Sequence, residues 1–442
     1  MSTVAIKEKH PAGLYLCFAT EMWERFSFYA MRGLFVLYLT KALMFQDARA
    51  VSLYGTLNGL MYMAPLAGGY IADRYWGQRR AIIVGAVFII LGQISMGIQS
   101  LNFIYTAIGL LTVGVGLLKP NISTIVGELY EKNDARRDSG FLIFYMGINL
   151  GALLGFLVTG ILGEGIGWKW GFWSAAGGMV IGLAIFLWGK DKYLKGKGLP
   201  PAKNKELKAE LKEEKKKTGS DKLTKEEWQR IIVIFVLAFF SIFFWTAYEQ
   251  AGASLTLFAD KFTDRTINLF GWHWEIYASW FQGIPSLFII ILAPVFAKFW
   301  IALAKKGMNP SIPAKFSIGL VMLALGYVVM VIGAVVLGTG VKIGMYFLVL
   351  TYLFHVFGEL CLSPIGLSMI TKLAPVKFIS LFMGVWFAST AAAEKLAGTY
   401  STLFGKISNV QFFTWLVIAP LCAAGVLALM NKPLKKWMHG IQ

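Results

Sequence analysis

The sequence predicts an all-α integral membrane protein of twelve transmembrane helices, arranged as two bundles of six. Three observations carry this. Hydrophobic residues make up 57% of the 442 and charged residues only 15%, against roughly 25% charged in soluble domains. Apolar stretches of about the 20 residues that cross a bilayer recur from one end of the chain to the other. The one long polar run, 190–228, divides the chain into an N-terminal bundle, 1–189, and a C-terminal bundle, 229–442.

The spans read as 13–40, 51–73, 79–99, 102–125, 139–163, 169–189, 229–258, 272–302, 312–337, 343–371, 378–404 and 410–430. Basic residues crowd alternate connections: Arg74, Arg79 and Arg80; Lys132, Arg136 and Arg137; 190–230; Lys298, Lys305, Lys306 and Lys315; 372–377; and Lys432, Lys435 and Lys436 at the end. The other loops are short or nearly neutral. The positive-inside rule then places both termini in the cytoplasm. It also explains the net charge of +18 as topology, with no nucleic acid as partner. In the linker, Lys203 to Lys217 sets acids and lysines at helical spacing, which predicts a solvated surface helix. Residues 1–12 are polar and no small-residue cleavage site follows the first apolar segment, so no removed signal peptide is expected. Cys17, Cys361 and Cys422 lack paired or metal-ligand spacing, so neither a disulfide nor a zinc framework is expected.

The halves read as a weak parallel repeat. Span two carries Ala64-Pro65 and span eight Ala293-Pro294; span four carries Gly116 and Pro120 and span ten Gly358 and Pro364. Phe144-Tyr145-Met146-Gly147 in span five has a counterpart in Leu381-Phe382-Met383-Gly384 in span eleven. Two six-helix halves related by an axis along the membrane normal describe the major facilitator architecture.

Several charges lie at membrane depth. Glu21, Glu24, Arg25 and Arg32 share one face of span one, at about 100° per residue. Glu21 and Arg25 stand at i,i+4 with the acid first, the favourable order for an ion pair. Counting residues from the span ends matches two opposite charges in depth twice: Arg32 with Glu249 in the outer half, and Lys119 with Glu359 in the inner half. Each pair would tie the N-half to the C-half. Each central charge costs about 2.5–3.5 kcal/mol to insert, so these side chains must pair, face water or be neutral. They are either fixed ion pairs pinning helices or pairs that break and reform during alternating access; the second reading is favoured. A carboxyl beside a mobile cation can load a proton when the pair opens and release it when the pair closes. His355, one turn before Glu359, reads as a packed intramembrane histidine. His273, between Trp272 and Trp274, reads as a neighbour of the interfacial aromatic belt. Glu394-Lys395 reads as an adjacent pair near the outer surface. No catalytic or nucleotide-binding motif occurs, so no enzyme is predicted.

These residues also carry a family resemblance. Glu21-Met22-Trp23-Glu24-Arg25-Phe26 resembles the E-x-x-E-R-F signature of the proton-dependent oligopeptide transporters, a branch of the major facilitators. Gly69 to Arg80 resembles the facilitator loop motif, Gly116 to Asn121 the family's span-four motif, Phe144 to Gly151 its span-five motif, and Phe357-Gly358-Glu359-Leu360 with Ser363-Pro364 its span-ten motif. The resemblance implies proton coupling at Glu21, Glu24, Arg25 and Glu249, with protons as coupling ion and no cofactor. It implies a substrate site lined by Tyr29, Arg32, Tyr62, Lys119, Asn149, Glu359, Ser363 and Trp386. Arg32 and Lys119 suit a peptide carboxylate and Glu359 a peptide ammonium.

Some positions depart from the family pattern. The paired tyrosines after the first motif read Phe28-Tyr29. Pro285 stands where the family often has an asparagine that helps hold the peptide's amino end. Tyr54 stands where animal members carry a histidine. The linker is too polar for the two extra helices of many bacterial members. The expectation is a proton-coupled importer of di- and tripeptides in a bacterial plasma membrane, surrounded by lipid and working as a monomer. The alternatives are a proton-coupled drug or metabolite antiporter of the same fold, and a membrane receptor or scaffold.

Overall fold

A computed structural model describes residues 9–131, 134, 136–200, 223–269, 271–375 and 379–441. The predicted linker helix at 203–217 lies outside them. The N-half contains α1 (Ala12–Lys41), α2 (Asp47–Ile71), α3 (Gln78–Met96), α4 (Leu101–Glu128), α5 (Arg137–Thr159) and α6 (Trp168–Tyr193). The C-half contains α7 (Lys225–Tyr248), α8 (Ser254–Phe262), α9 (Ile284–Lys305), α10 (Ile312–Leu337), α11 (Tyr346–Leu373), α12 (Ile379–Ser401) and α13 (Asn409–Trp437).

Nine helical stretches among the described residues are long and apolar enough to cross a membrane on their own. The three remaining long helices, α1, α2 and α12, are the more polar ones, and α2 packs on both of the others. α1 packs on α5 and α6, and α2 lies between α4 and α12. A helix screened from lipid by neighbours can carry polar groups that a lipid-facing helix cannot. The major facilitator architecture with twelve spans is therefore present, its seventh span made of two pieces.

That break corrects the uniform span expected at 229–258. α7 ends at Tyr248, a 3₁₀ turn covers Glu249–Gly252, and α8 starts at Ser254. The span expected from 272 also begins later. Thr266–Leu269 (β2) and Trp272–Glu275 (β3) form an antiparallel hairpin, closed by Gly271 at φ +81°, a conformation that glycine adopts without strain. His273 Nδ1 pairs with Asn268 Oδ1 across it. The short strands Thr263–Asp264 (β1) and Ile343–Gly344 (β4) pair in parallel beside it. At the other boundary α6 continues to Tyr193, so Lys190 and Asp191, assigned to the linker, are helical. α7 opens with a capping box between Thr224 and Glu227, which satisfies two orphan N–H groups at its start.

Both described ends of the chain lie at one face of the molecule, the terminal end. His10 bonds to Tyr130 just past α4 at 2.8 Å, and His439 bonds to Gln229 at the start of α7 at 2.6 Å. The opposite, distal end carries the hairpin. The halves meet chiefly along α2 with α12 and along α5 with α9, which are symmetry mates under the predicted repeat. Contacts between the halves gather distally. Lys41 reaches Asp260 at 2.6 Å, Lys261 pairs with Asp47, and Glu164 accepts the Ser279 N–H at 2.9 Å. At Gly55 a Cβ would stand 2.6 Å from the Gly398 Cα, so α2 and α12 touch backbone to backbone. The distal end is closed.

Candidate functional site

The polar face of α1 builds two charge clusters, one above the other. Nearer the terminal end, the Arg25 guanidinium donates through Nη2 to Glu24 Oε1 at 2.5 Å, and its Nε pairs with Glu24 and lies 3.2 Å from Glu21 Oε1. The expected i,i+4 pair is thus shared with the adjacent Glu24. Phe28 lies under this guanidinium, 4.7 Å from ring centre to Cζ. Lys119 of α4 is the next cation, with its Nζ 4.1 Å from the Tyr62 ring centre. Two acids and two bases balance here within one half.

Two turns along α1, Arg32 donates through Nη2 to Glu249 of the α7–α8 break, joining the halves in a buried ion pair. The break itself aims this carboxylate, since a continuous helix would carry the chain past it. Tyr29 and Tyr54 flank the guanidinium at 5.7 and 5.9 Å, and the Arg32 Nε has no hydrogen-bond partner among the described residues. Glu359 on α11 accepts a 2.5 Å hydrogen bond from the Tyr248 hydroxyl.

Between Arg32 and Glu359 lies a cavity of about 110 Å³, room for several waters at about 10–15 Å³ each. Its wall takes Tyr29, Arg32, Tyr62, Tyr145, Asn149 and Phe156 from the N-half, and Trp245, Tyr248, Glu249, Gln282, Pro285, Ser286 and Glu359 from the C-half. Arg32, Glu249 and Glu359 therefore face a polar space able to hold water instead of lipid, which lowers their insertion cost.

Five of the eight sequence-derived substrate residues line this space: Tyr29, Arg32, Tyr62, Asn149 and Glu359. Lys119 stands behind Tyr62. Ser363 is partly buried on α11 and does not line the cavity. Trp386 does not line it either. It is wedged within the C-half over Gly366, with its ring 6.4 Å from that of Phe316 on α10. Lys119 and Glu359 form no ion pair in this conformation. Lys119 rests on Tyr62 in the N-half cluster, and Glu359 is held by Tyr248. Glu394 and Lys395 are not an adjacent pair at the surface: Glu394 is fully buried, while Lys395 turns away to donate to Thr56 Oγ1 at 2.7 Å. Successive residues on a helix point about 100° apart, so Glu394 is carried into the interior while Lys395 lies exposed along α2. His355 is packed among Tyr248, Tyr327 and Tyr352.

The sequence reading missed Tyr145, Phe156, Trp245, Tyr248, Gln282 and Ser286. Tyr145 sits inside the span-five motif and Tyr248 next to Glu249, so position alone could have marked both. Gln282 and Ser286 flank Pro285 and needed the 3₁₀ turn Ala278–Gly283 to be aimed inward. Among the described residues no group of His, Cys, Asp and Glu is arranged to hold a metal. Tyr248→Phe removes one hydrogen bond to a buried carboxyl, a net effect of about 0.5–1.5 kcal/mol. The expected result is a severalfold weaker substrate affinity with an unchanged unfolding temperature, read by binding isotherms and thermal unfolding.

The profile of PTR2, the POT family, matches residues 79–209 and 199–416. The chain belongs to the POT family. It is therefore a multi-pass membrane transporter and not an enzyme. POT relatives match it almost end to end. The uncharacterized transporter YclF of Bacillus subtilis is 36% identical over 98% of this chain and 96% of its own length. The peptide transporter YePEPT of Yersinia enterocolitica is 33% identical over 98% and 96%. A di-/tripeptide transporter of Lactococcus lactis is 30% identical over 98% and 97%. Among solved POT structures, the peptide transporter POT in complex with sulfate superposes with a TM-score of 0.86 at 35% identity, over 98% of this chain and 96% of that one. A POT family transporter in complex with 5-aminolevulinic acid gives 0.87 at 32%, over 96% and 97%.

Proposed function

We propose that this POT protein imports di- and tripeptides together with protons by alternating access, with its terminal end in the cytoplasm of a bacterium. The observation that carries the reading is the pairing of opposite charges across one hydrated cavity. Arg32, with its Nε unpaired, offers donors to a carboxylate, and Glu359 on the opposite wall accepts from an ammonium. A zwitterionic peptide matches both. A relative matched over 97% of its own length is named a di-/tripeptide transporter, which supports the same substrate class.

The cycle follows from the charges. In the outward-facing form Arg32 and Glu249 part, and Glu249 takes a proton from outside. Peptide binding places a carboxylate on Arg32. Proton release re-forms the Arg32–Glu249 pair, whose attraction holds the distal end shut. The terminal end opens as Lys119 and Glu359 separate, with Glu21, Glu24 and Arg25 as the neighbouring proton-handling group. Entry of a positive charge is also favoured by about 2.3 kcal/mol per 100 mV of inside-negative potential.

The test is uptake of labelled dialanine into liposomes holding the purified protein, with and without an inward proton gradient. The expected result is gradient-driven accumulation, competed by unlabelled tripeptide and lost in Glu249→Gln. Absence of accumulation with gradient-driven extrusion of a cationic dye would replace symport by drug antiport.

A further inference from the structure

The seam between α2 and α12 holds a carboxyl that the cycle above does not use. Glu394 is 0% exposed, and neither of its carboxyl oxygens has a hydrogen-bond partner among the described residues. Its own backbone carbonyl stands 2.8 Å from where a Cβ on Gly55 would lie, so the residue is part of the backbone-to-backbone approach of α2 and α12. The charged and titratable groups that face it are Arg32 from α1, Tyr54 and Tyr62 from α2, Lys119 from α4 and Glu249 from the α7–α8 turn. Arg32 is bound to Glu249 and Lys119 rests on Tyr62. α7 offers only hydroxyls here: that of Ser241 is bound to Ser389 and that of Thr246 to the Ala393 carbonyl. No charged group of α11, which also packs on α12, is among these neighbours.

An ionised carboxylate without donor or counterion is strongly disfavoured in such a place, whereas a carboxylic acid is tolerated. Charge balance points the same way. Arg32 faces three carboxyls, Glu249, Glu359 and Glu394, while Lys119, the other cation near Glu394, is balanced with Arg25 by Glu21 and Glu24. One is neutralised by Arg32 and a second can be neutralised by a bound ammonium. The third is left over.

We propose that Glu394 is a second proton-binding site, and that it must take up one proton before α2 and α12 can close against each other. With the seam open the carboxylate meets water on the distal side. Closing converts it to the acid, with one proton drawn from that side and no other bond changed. Closure and proton uptake are then linked, so distal acidity drives the protein toward the closed form. The proposal rests on the alternating-access reading but not on the identity of the substrate, and its test uses no peptide.

The full-length protein in lipid nanodiscs, spin-labelled at Met44→Cys and Lys406→Cys, reports the distal distance as a function of pH. The contribution of Glu394, read as the difference between the unsubstituted protein and Glu394→Gln, is expected to favour the closed form as pH falls, opposite in sign to protonation of Glu249. In Glu394→Gln the closing midpoint is expected to move up by more than about one pH unit or to vanish, because the neutral amide removes the proton requirement. The infrared difference between the unsubstituted protein and Glu394→Gln is expected to contain a protonated-carboxyl C=O band in the closed form. Glu394→Asp keeps an acid and is expected to retain the pH dependence. An unchanged midpoint in Glu394→Gln with no carboxyl band in the difference spectrum overturns the proposal. Closure independent of pH in Glu394→Asp also overturns it, since the effect would then come from packing.

Discussion

Arg32→Gln is expected to abolish proton-driven peptide accumulation and to lower the stability of the purified protein. The arginine faces three carboxyls, Glu249, Glu359 and Glu394, and its guanidinium is almost entirely buried. Its Nη2 holds Glu249 across the two halves. Removing one member of a buried ion pair typically costs about 3–5 kcal/mol, because the survivor is left charged and alone. Here Glu249 can recover part of that by binding a proton, so the loss in unfolding temperature should shrink as pH falls. The double variant Arg32→Gln with Glu249→Gln has no orphaned charge and should regain most of the stability. It should not regain transport, because the proposed carboxylate-binding donor and the proposed coupling carboxyl are both gone. Thermal unfolding read against dialanine uptake separates the two effects. Uptake surviving at the original rate in the single variant would remove Arg32 from the mechanism.

The second large effect is at the seam. Gly55 and Gly398 let α2 and α12 approach so closely that a Cβ at Gly55 would lie 2.6 Å from backbone, and no rotamer change relieves a clash with main chain. Gly55→Val is therefore expected to hold the distal end open. Transport should fall to background while the protein still folds, since each half keeps its own core. The distance between labels at Met44 and Lys406 should lengthen and lose its response to pH. Labels reporting the unsubstituted distance together with lost uptake would place the damage in folding or binding instead.

These two residues also mark how far the sequence could be read. Arg32 and Glu249 could be matched in advance, because both lie on spans whose ends are legible from hydropathy and depth follows from counting at about 1.5 Å per residue. Glu394 could not be placed by the same counting. Its depth was accessible, but its direction about the α12 axis was not, because the helix is mixed in polarity all round. Adjacent positions 394 and 395 point about 100° apart, Glu394 into the buried interior and Lys395 to Thr56 of α2.

The sequence alone determined the number and order of the spans, the weak repeat and the polar face of α1. All of these follow from local composition: a run of apolar side chains must be helical in a bilayer because its backbone has no other partner. Only the tertiary structure decided that span seven breaks at Glu249, that 272–275 is a strand of a hairpin, that Trp386 packs away from the cavity and that Lys119 stands apart from Glu359. Those features depend on which half-to-half contacts are made. The contacts are made by residues hundreds of positions apart, and in the proposed cycle they change within a single sequence.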